Sequence, residues 1–66
     1  MSKETQFQKG LAAFMKRKDL NQNSLAMALG IPRMTVNYWV HGKSEPILKY
    51  IKKLLVAGMT PKELFG

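Results

Sequence analysis

Apolar residues recur along the chain at intervals of three and four residues, a spacing typical of amphipathic helices. Phe7, Leu11 and Phe14 follow this spacing and predict a first helix over residues 5–18. The polar residues of that segment fall on the opposite side, where we expect them to face solvent: Gln8, Lys9, Lys16 and Arg17.

A second and a third helix are predicted on either side of a sharp turn. Asn21 is a good N-terminal cap, and Leu25 lies on the apolar side of the helix that would follow it. Gly30 is expected to end that helix, because glycine tolerates the left-handed conformation of a sharp helix exit. Pro32 suits the start of the third helix, which should begin at residue 32 or 33 and end at residue 40.

Two more helices are predicted in the C-terminal third of the chain. Residues 46–57 predict the fourth helix, with one apolar side made of Ile47, Leu48, Ile51, Leu54 and Leu55. Lysines occupy its other side: Lys49, Lys52 and Lys53. Thr60, Pro61 and Glu63 form the pattern of a capping box with proline in the first turn, which predicts a fifth helix of about one turn.

The composition limits what such a helical chain can be. Sixty-six residues are enough for one domain, which we assign to residues 1–66. The chain has no cysteine and a single histidine, His41, so we expect no disulfide, no metal site and no cofactor. Four acidic residues beside one histidine offer little for catalysis. We therefore expect an all-α domain that is not an enzyme.

The charge points to an anionic partner. The formal net charge is +7, and no Asp or Glu occurs between Asp19 and Glu45. Nucleic acid is the usual partner of a small basic domain, although the charge alone would also suit an anionic membrane surface. The longest apolar run, residues 54–59, is too short to span a bilayer. We expect a soluble cytoplasmic protein without a membrane or small-molecule ligand.

Residues 21–43 have the spacing of a helix-turn-helix. Ala26 is the small residue of its first helix, Gly30 forms the turn, and Val36 is the buried aliphatic residue of its second helix. On that second helix Val36 and Trp39 lie on one side, and five residues share the opposite arc: Arg33, Met34, Asn37, Tyr38 and His41. An α-helix fits the DNA major groove, where outward side chains meet the base edges.

The side chains of this arc suit base recognition. Arg33 matches the two acceptors of guanine, and Asn37 could pair similarly with adenine. Met34 could lie against a thymine methyl group, while Tyr38 and Thr35 can reach bases or phosphate oxygens. We therefore expect Arg33, Met34 and Asn37 to contact bases, while Tyr38 could contact a base or a phosphate.

Markers spread over nearly the whole chain resemble the lambda-repressor-like DNA-binding domains of phage repressor and Cro proteins and their bacterial relatives. They are Leu20-Asn21-Gln22, Leu25-Ala26, Gly30-Ile31-Pro32, Val36, Trp39, Gly42-Lys43, Gly58-Met59-Thr60 and Leu64. The resemblance implies a compact five-helix domain that binds near-palindromic operator DNA as a homodimer.

The resemblance also implies phosphate contacts on both sides of the third predicted helix, which is the recognition helix of the family. Gln22 would hold a phosphate at the start of the second helix. A second phosphate would be clamped by the turn at Gly42, Lys43 and Ser44, through backbone N–H groups and the lysine. Together with Thr35, the expected phosphate-contacting residues are Gln22, Lys43 and Ser44. The resemblance also implies that Arg33, Met34 and Tyr38 read bases, with Asn37 nearby.

The chain departs from the family pattern at Pro32, a position often held by Ser or Thr, and at a pair of apolar residues. Many members bury an ion pair where we align Met15 and Val40, and both residues are apolar here. Replacing a buried ion pair with packed apolar residues is often neutral or stabilising, so this difference does not alter the predicted fold.

The predicted function is that of a transcriptional regulator, specifically a Cro-like phage repressor that excludes polymerase from an operator. Alternatives with the same fold are an antitoxin-type regulator and a protein-interaction module without operator binding, and a basic peptide on a membrane surface is a further one. The subunit contact is expected among four apolar residues near the C-terminus: Val56, Met59, Leu64 and Phe65.

Overall fold

The computed structural model describes residues 4–66, which form five α-helices joined by short loops. The helices are α1 (Gln6–Arg17), α2 (Gln22–Leu29), α3 (Arg33–Val40), α4 (Leu48–Ala57) and α5 (Pro61–Phe65). No strand occurs in the described part of the chain, which confirms the predicted all-α class. The first three residues of the predicted 1–66 domain lie outside the described residues.

Three helices begin at the caps that the sequence predicts or allows. Thr5, Asn21 and Thr60 each accept a hydrogen bond from a backbone N–H in the first turn, and the side chain three residues on completes a capping box. Pro32 precedes α3 in an extended conformation without a side-chain cap. The predicted start of α4 is wrong by two residues, because the backbone is still extended at Ile47 (ψ 167°).

The first four helices end in the same way. The first or second residue after each helix end adopts a left-handed conformation, and the N–H of the residue that follows it bonds back into the last turn, as in a Schellman motif. The left-handed residues are Asp19, Gly30, Gly42 and Gly58. The bonds that follow them are Leu20 to Met15, Ile31 to Ala26, Lys43 to Tyr38 and Met59 to Leu54. Because each of these helices ends in a tight, hydrogen-bonded turn, the loops between helices are short and five helices fit into so short a chain.

The core contains apolar residues from all five helices. Its buried members are Phe7, Leu11, Phe14, Leu25, Ala26, Leu29, Ile31, Val36, Trp39, Leu54, Met59 and Leu64. Met59 and Leu64 are therefore unavailable as subunit contacts, which corrects the prediction for these two residues. On α4 the predicted apolar side is largely exposed, since only Leu54 of that helix is fully buried.

Helices α1 and α5 pack closely because Gly10 has no side chain. A Cβ atom at Gly10 would lie 1.5 Å from the backbone oxygen of Glu63. Arg17 is exposed, as predicted, and donates Nη2 to Glu63 Oε1 (2.8 Å) and to the Gly58 carbonyl (2.9 Å). Its hydrogen bond, together with bonds from Thr60, holds the pKa of the Glu63 carboxyl below its usual value despite partial burial. This network fixes α5 to the end of α1.

The apolar pair Met15 and Val40 lies at the edge of the core, half-buried. Both residues line one groove between α1 and α3, which also includes Gln22 at the start of α2. Gln8 was expected to face solvent but donates Nε2 to the carbonyl oxygen of Val40 at 3.2 Å. A neutral hydrogen bond therefore ties the end of α3 to α1.

Candidate DNA-binding surface

The inner side of α3 is anchored in the core by Val36 and Trp39, which are both buried. The Trp39 ring meets Phe7 of α1 edge to face at a centroid distance of 5.7 Å. It also meets Tyr50 of α4 at 5.8 Å. Aromatic contacts on two sides fix the rotation of α3 about its axis, and so determine which residues point outward.

The outer side of α3 carries three exposed residues of the predicted base-contacting set. Arg33 is the first residue of the helix and is exposed. Met34 is 61% exposed and Tyr38 is 42% exposed, so both present large side chains to solvent. The fourth predicted residue, Asn37, is half-buried and donates Nδ2 to Gln22 Oε1 at 3.0 Å.

The predicted phosphate-contacting residues occupy both ends of this surface. Gln22 is the first residue of α2, half-buried and next to Asn37. Thr35 is half-buried in the first turn of α3. Lys43 and Ser44 are exposed in the loop after α3. The structure thus brings Gln22 into contact with the recognition helix and leaves Lys43 and Ser44 accessible beyond its end.

The expected backbone clamp at the turn after α3 needs correction. The N–H of Gly42 donates to the Trp39 carbonyl (3.1 Å), and the N–H of Lys43 donates to the Tyr38 carbonyl (2.8 Å). Both groups are used to end the helix, because a Schellman motif requires them. What the turn can offer a phosphate is the Lys43 ammonium group and the exposed Ser44 rather than these two N–H groups.

Lys43 differs from its counterparts at the other helix ends. The residues after the left-handed positions of α1, α2 and α4 are apolar and pack in or against the core: Leu20, Ile31 and Met59. A Schellman motif usually places an apolar residue there. At the end of α3 the position holds an exposed cation instead. The same turn that elsewhere completes the core here presents a charge beside the recognition helix.

The charge of the surface is positive but sparse. Residues 20–44 contain no Asp or Glu, and their only cationic side chains at neutral pH are Arg33 and Lys43. Most other basic residues lie on α1 and α4, and the one salt bridge within residues 4–66 joins Arg17 and Glu63. General attraction to a polyanion therefore comes from the whole molecule, whereas this surface presents mainly polar and apolar side chains.

Comparison with known proteins agrees with this geometry. A helix-turn-helix family model matches residues 11–64, which include most of α1, all of α2 to α4 and most of α5. The chain belongs to the lambda-repressor-like helix-turn-helix family. It is thus a DNA-binding regulatory domain, of a family whose members are generally not enzymes. No curated protein and no solved structure matches the chain.

Two further observations concern metal ions and membranes. Within residues 4–66 no three His, Asp or Glu side chains are grouped so that they could hold a metal ion. No helix in the same range is long and apolar enough to cross a membrane.

Sequence reasoning missed the contact between Gln22 and Asn37. The two residues are fifteen positions apart and lie on different helices, so neither periodicity nor capping patterns relate them. Each was assigned a role separately, Gln22 toward a phosphate and Asn37 toward a base. The helix-turn-helix geometry is the signal that could have paired them, because it brings the start of α2 close to the middle of α3.

Proposed function

We propose that this protein is a sequence-specific transcriptional repressor of the Cro type, which occupies operator DNA and excludes polymerase. The observation that carries the proposal is the outer side of α3, where Arg33, Met34 and Tyr38 are exposed on a helix held by buried Val36 and Trp39. Such a helix fits the major groove, where arginine can bind guanine through two hydrogen bonds. Thr35 can bind a base edge or a phosphate.

The proposed phosphate contacts lie on either side of the bases. Gln22 would bind one phosphate at the start of α2, and Lys43 with Ser44 would bind another beyond the end of α3. Phosphate contacts position a recognition helix but carry no sequence information themselves. Two such anchors would fix the depth and direction of α3 in the groove.

We further propose that two copies bind a near-palindromic operator. Phe65 is 68% exposed and lines a shallow depression together with Pro46, whose neighbour Ile47 is 61% exposed. Val56 is 90% exposed but lines a different groove, between α2 and α4. We assign the subunit contact to Phe65 and Pro46, because both line this one depression beside the buried Leu64 of α5.

Selection of bound sequences from a random DNA pool tests the proposed function. We expect a near-palindromic consensus whose half-sites are about 34 Å apart, or one helical turn, as the two recognition helices of a dimer require. Arg33→Ala should lower specific affinity by about 1–3 kcal/mol and relax the preference at one base pair of each half-site.

Lys43→Ala is the matched control for a phosphate contact. It should weaken binding to all sequences alike. Because one phosphate contact is lost, the slope of log affinity against log salt concentration should become shallower by about 1. The proposal would be wrong if the pool yielded no enriched sequence, or if Arg33→Ala weakened every sequence equally.

A further inference from the structure

A groove between α2 and α4 shares no residue with the proposed DNA-binding surface. Its volume is about 320 Å³, and six residues line it: Ala28, Leu29, Lys52, Lys53, Val56 and Ala57. None of these six belongs to the residues proposed to contact bases or phosphates. The proposed function therefore leaves the groove without a role.

The lining of the groove is mostly apolar and open to solvent. Val56 of α4 is 90% exposed, so almost none of its side chain packs against its own chain. Leu29 of α2 is buried beside it, and the small side chains of Ala28 and Ala57 leave space above the two helices. Covering this apolar surface with a partner is favourable in proportion to the area removed from water.

Two lysines give the same groove a positive charge. Lys52 and Lys53 both line it, and neither forms a salt bridge within the described part of the chain. Residues 20–44 and 46–62 contain no Asp or Glu, so α2 and α4 both come from acid-free segments. A carboxylate that enters the groove therefore meets two cations and no acidic residue of either helix.

We propose that this groove binds an acidic amphipathic segment of a partner protein. The apolar side chains of the segment pack on Leu29, Val56 and Ala57, and its carboxylates lie beside Lys52 and Lys53. Amphipathic helices bind grooves in this way, with anchoring side chains three and four residues apart. The inference goes beyond the proposed repressor function and does not depend on it.

Charge and polarity favour this occupant over a second copy or DNA. Each copy carries a net charge of +7, so a groove lined by lysines is a poor contact for another copy. DNA phosphates would suit the lysines, but they would place the exposed Val56 beside a hydrophilic backbone. An acidic amphipathic segment supplies both carboxylates and apolar side chains.

Selection from a library of random peptides tests the inference. The peptides should be about 15 residues long, since shorter helices are marginal in water. Wild-type protein is the target, and peptides that also bind Val56→Ser are removed in each round. We expect the enriched peptides to carry apolar residues three and four positions apart together with Asp or Glu. No enrichment, or enrichment of neutral or basic peptides, would overturn the inference.

Variants of α4 then separate the apolar and the charged contact to the most enriched peptide. Val56→Ser should weaken its binding about 10-fold, because one apolar side chain is no longer buried. Lys52→Glu should weaken it about 3- to 10-fold at low salt and less at high salt.

The matched controls are Leu48→Ser and Lys49→Glu, because both residues are exposed on α4 but do not line the groove. Each should change the peptide affinity far less than the groove variant of the same kind. Equal losses in the groove variants and their controls would mean that the peptide binds elsewhere and would overturn the inference.

The other possible occupants are tested with Val56→Ser in the absence of peptide. If this variant loses affinity for DNA or for vesicles of anionic phospholipid, or sediments with a lower molar mass than the wild type, another occupant uses the groove and the inference is overturned. Peptide binding is measured without DNA, so its failure leaves the proposed function standing. A protein that binds the peptide but selects no DNA sequence would overturn the proposed function alone.

Discussion

At Gly30 the backbone φ is +68°, and a Cβ atom added there would meet no other atom within 4 Å. Space is therefore available, and only the backbone conformation disfavours a side chain. We predict that Gly30→Ala lowers the free energy of unfolding by about 1–2 kcal/mol, the cost of a left-handed alanine. Gly30→Asn should cost less, because asparagine adopts this conformation more readily. Urea unfolding measures both, and an alanine variant as stable as wild type would contradict the turn geometry.

Asp19 occupies the corresponding position at the end of α1, with φ at +55°. It is the only non-glycine residue with positive φ within residues 4–66, and its carboxylate lies at the negative end of the α1 dipole. We predict that Asp19→Gly raises the free energy of unfolding by about 1 kcal/mol. The change removes both the cost of a left-handed non-glycine residue and the repulsion between the carboxylate and the negative end of the helix dipole. Asp19→Asn removes the charge alone and should give a smaller gain. Thermal melts should give the highest melting temperature for Asp19→Gly, a lower one for Asp19→Asn and the lowest for the wild type. An Asp19→Gly protein that melts below the wild type would refute the prediction.

Between elements, the contact of α1 with α5 depends on a glycine for a different reason. A Cβ atom at Gly10 would overlap the Glu63 carbonyl, so Gly10→Ala must separate the two helices. Alanine would gain about 1 kcal/mol in helix propensity, but overpacking costs about 1–3 kcal/mol and this contact is severe. We predict a net loss of stability on urea unfolding. Ala13→Gly, at an exposed position of the same helix, controls for propensity and should cost about 1 kcal/mol. A Gly10→Ala protein more stable than wild type would disprove the close approach.

The ion pair between α1 and α5 should make stability depend on pH. Because Arg17 lowers the pKa of Glu63 in the folded protein, the stabilisation is complete above the unfolded pKa of about 4.3 and is lost as pH falls through the folded value. Glu63→Gln keeps an oxygen for the Thr60 cap and removes the charge. For a partly exposed pair we expect it to cost about 0.5–1 kcal/mol at pH 7.

Urea unfolding at several pH values checks this dependence. The difference between wild type and Glu63→Gln should shrink toward zero below pH 4. Glu45→Gln changes an exposed carboxylate outside any salt bridge of the described residues and should show no such trend. An equal trend in both variants would assign the pH dependence to overall charge.

The elements also show what the sequence alone could predict. Helix ends followed from local signals such as Thr60 with Glu63, or Gly30, because caps and left-handed exits depend on a few neighbouring residues. The exposure of Ile47 and the closeness of Gly10 to α5 could not be predicted from local signals, because they depend on how whole helices pack. The outward position of Arg33 was predictable from the helical period once Trp39 was taken as core. The bond between Gln22 and Asn37 required the tertiary structure.

At the scale of the whole molecule, two surface features act together in the proposed repressor. Basic residues outside the recognition surface attract DNA without regard to sequence, and this attraction weakens as salt increases. Specificity must then come from the few residues of α3 and from the pairing of two copies on one operator. A dimer doubles the number of bases read, so a small recognition surface can still select a long site.

The apolar patch around Phe65 provides the last prediction. Phe65→Ser should weaken binding to the selected full palindrome and reduce its cooperativity, because the two copies would no longer contact each other. Binding to an isolated half-site should be unchanged. Val56→Ser removes another exposed apolar side chain from a different groove and should leave both affinities as in the wild type. Titrating each variant into the labelled full palindrome and into the labelled half-site, with fluorescence anisotropy as the readout, measures both affinities. Equal effects of Phe65→Ser on the full site and the half-site would place the subunit contact elsewhere.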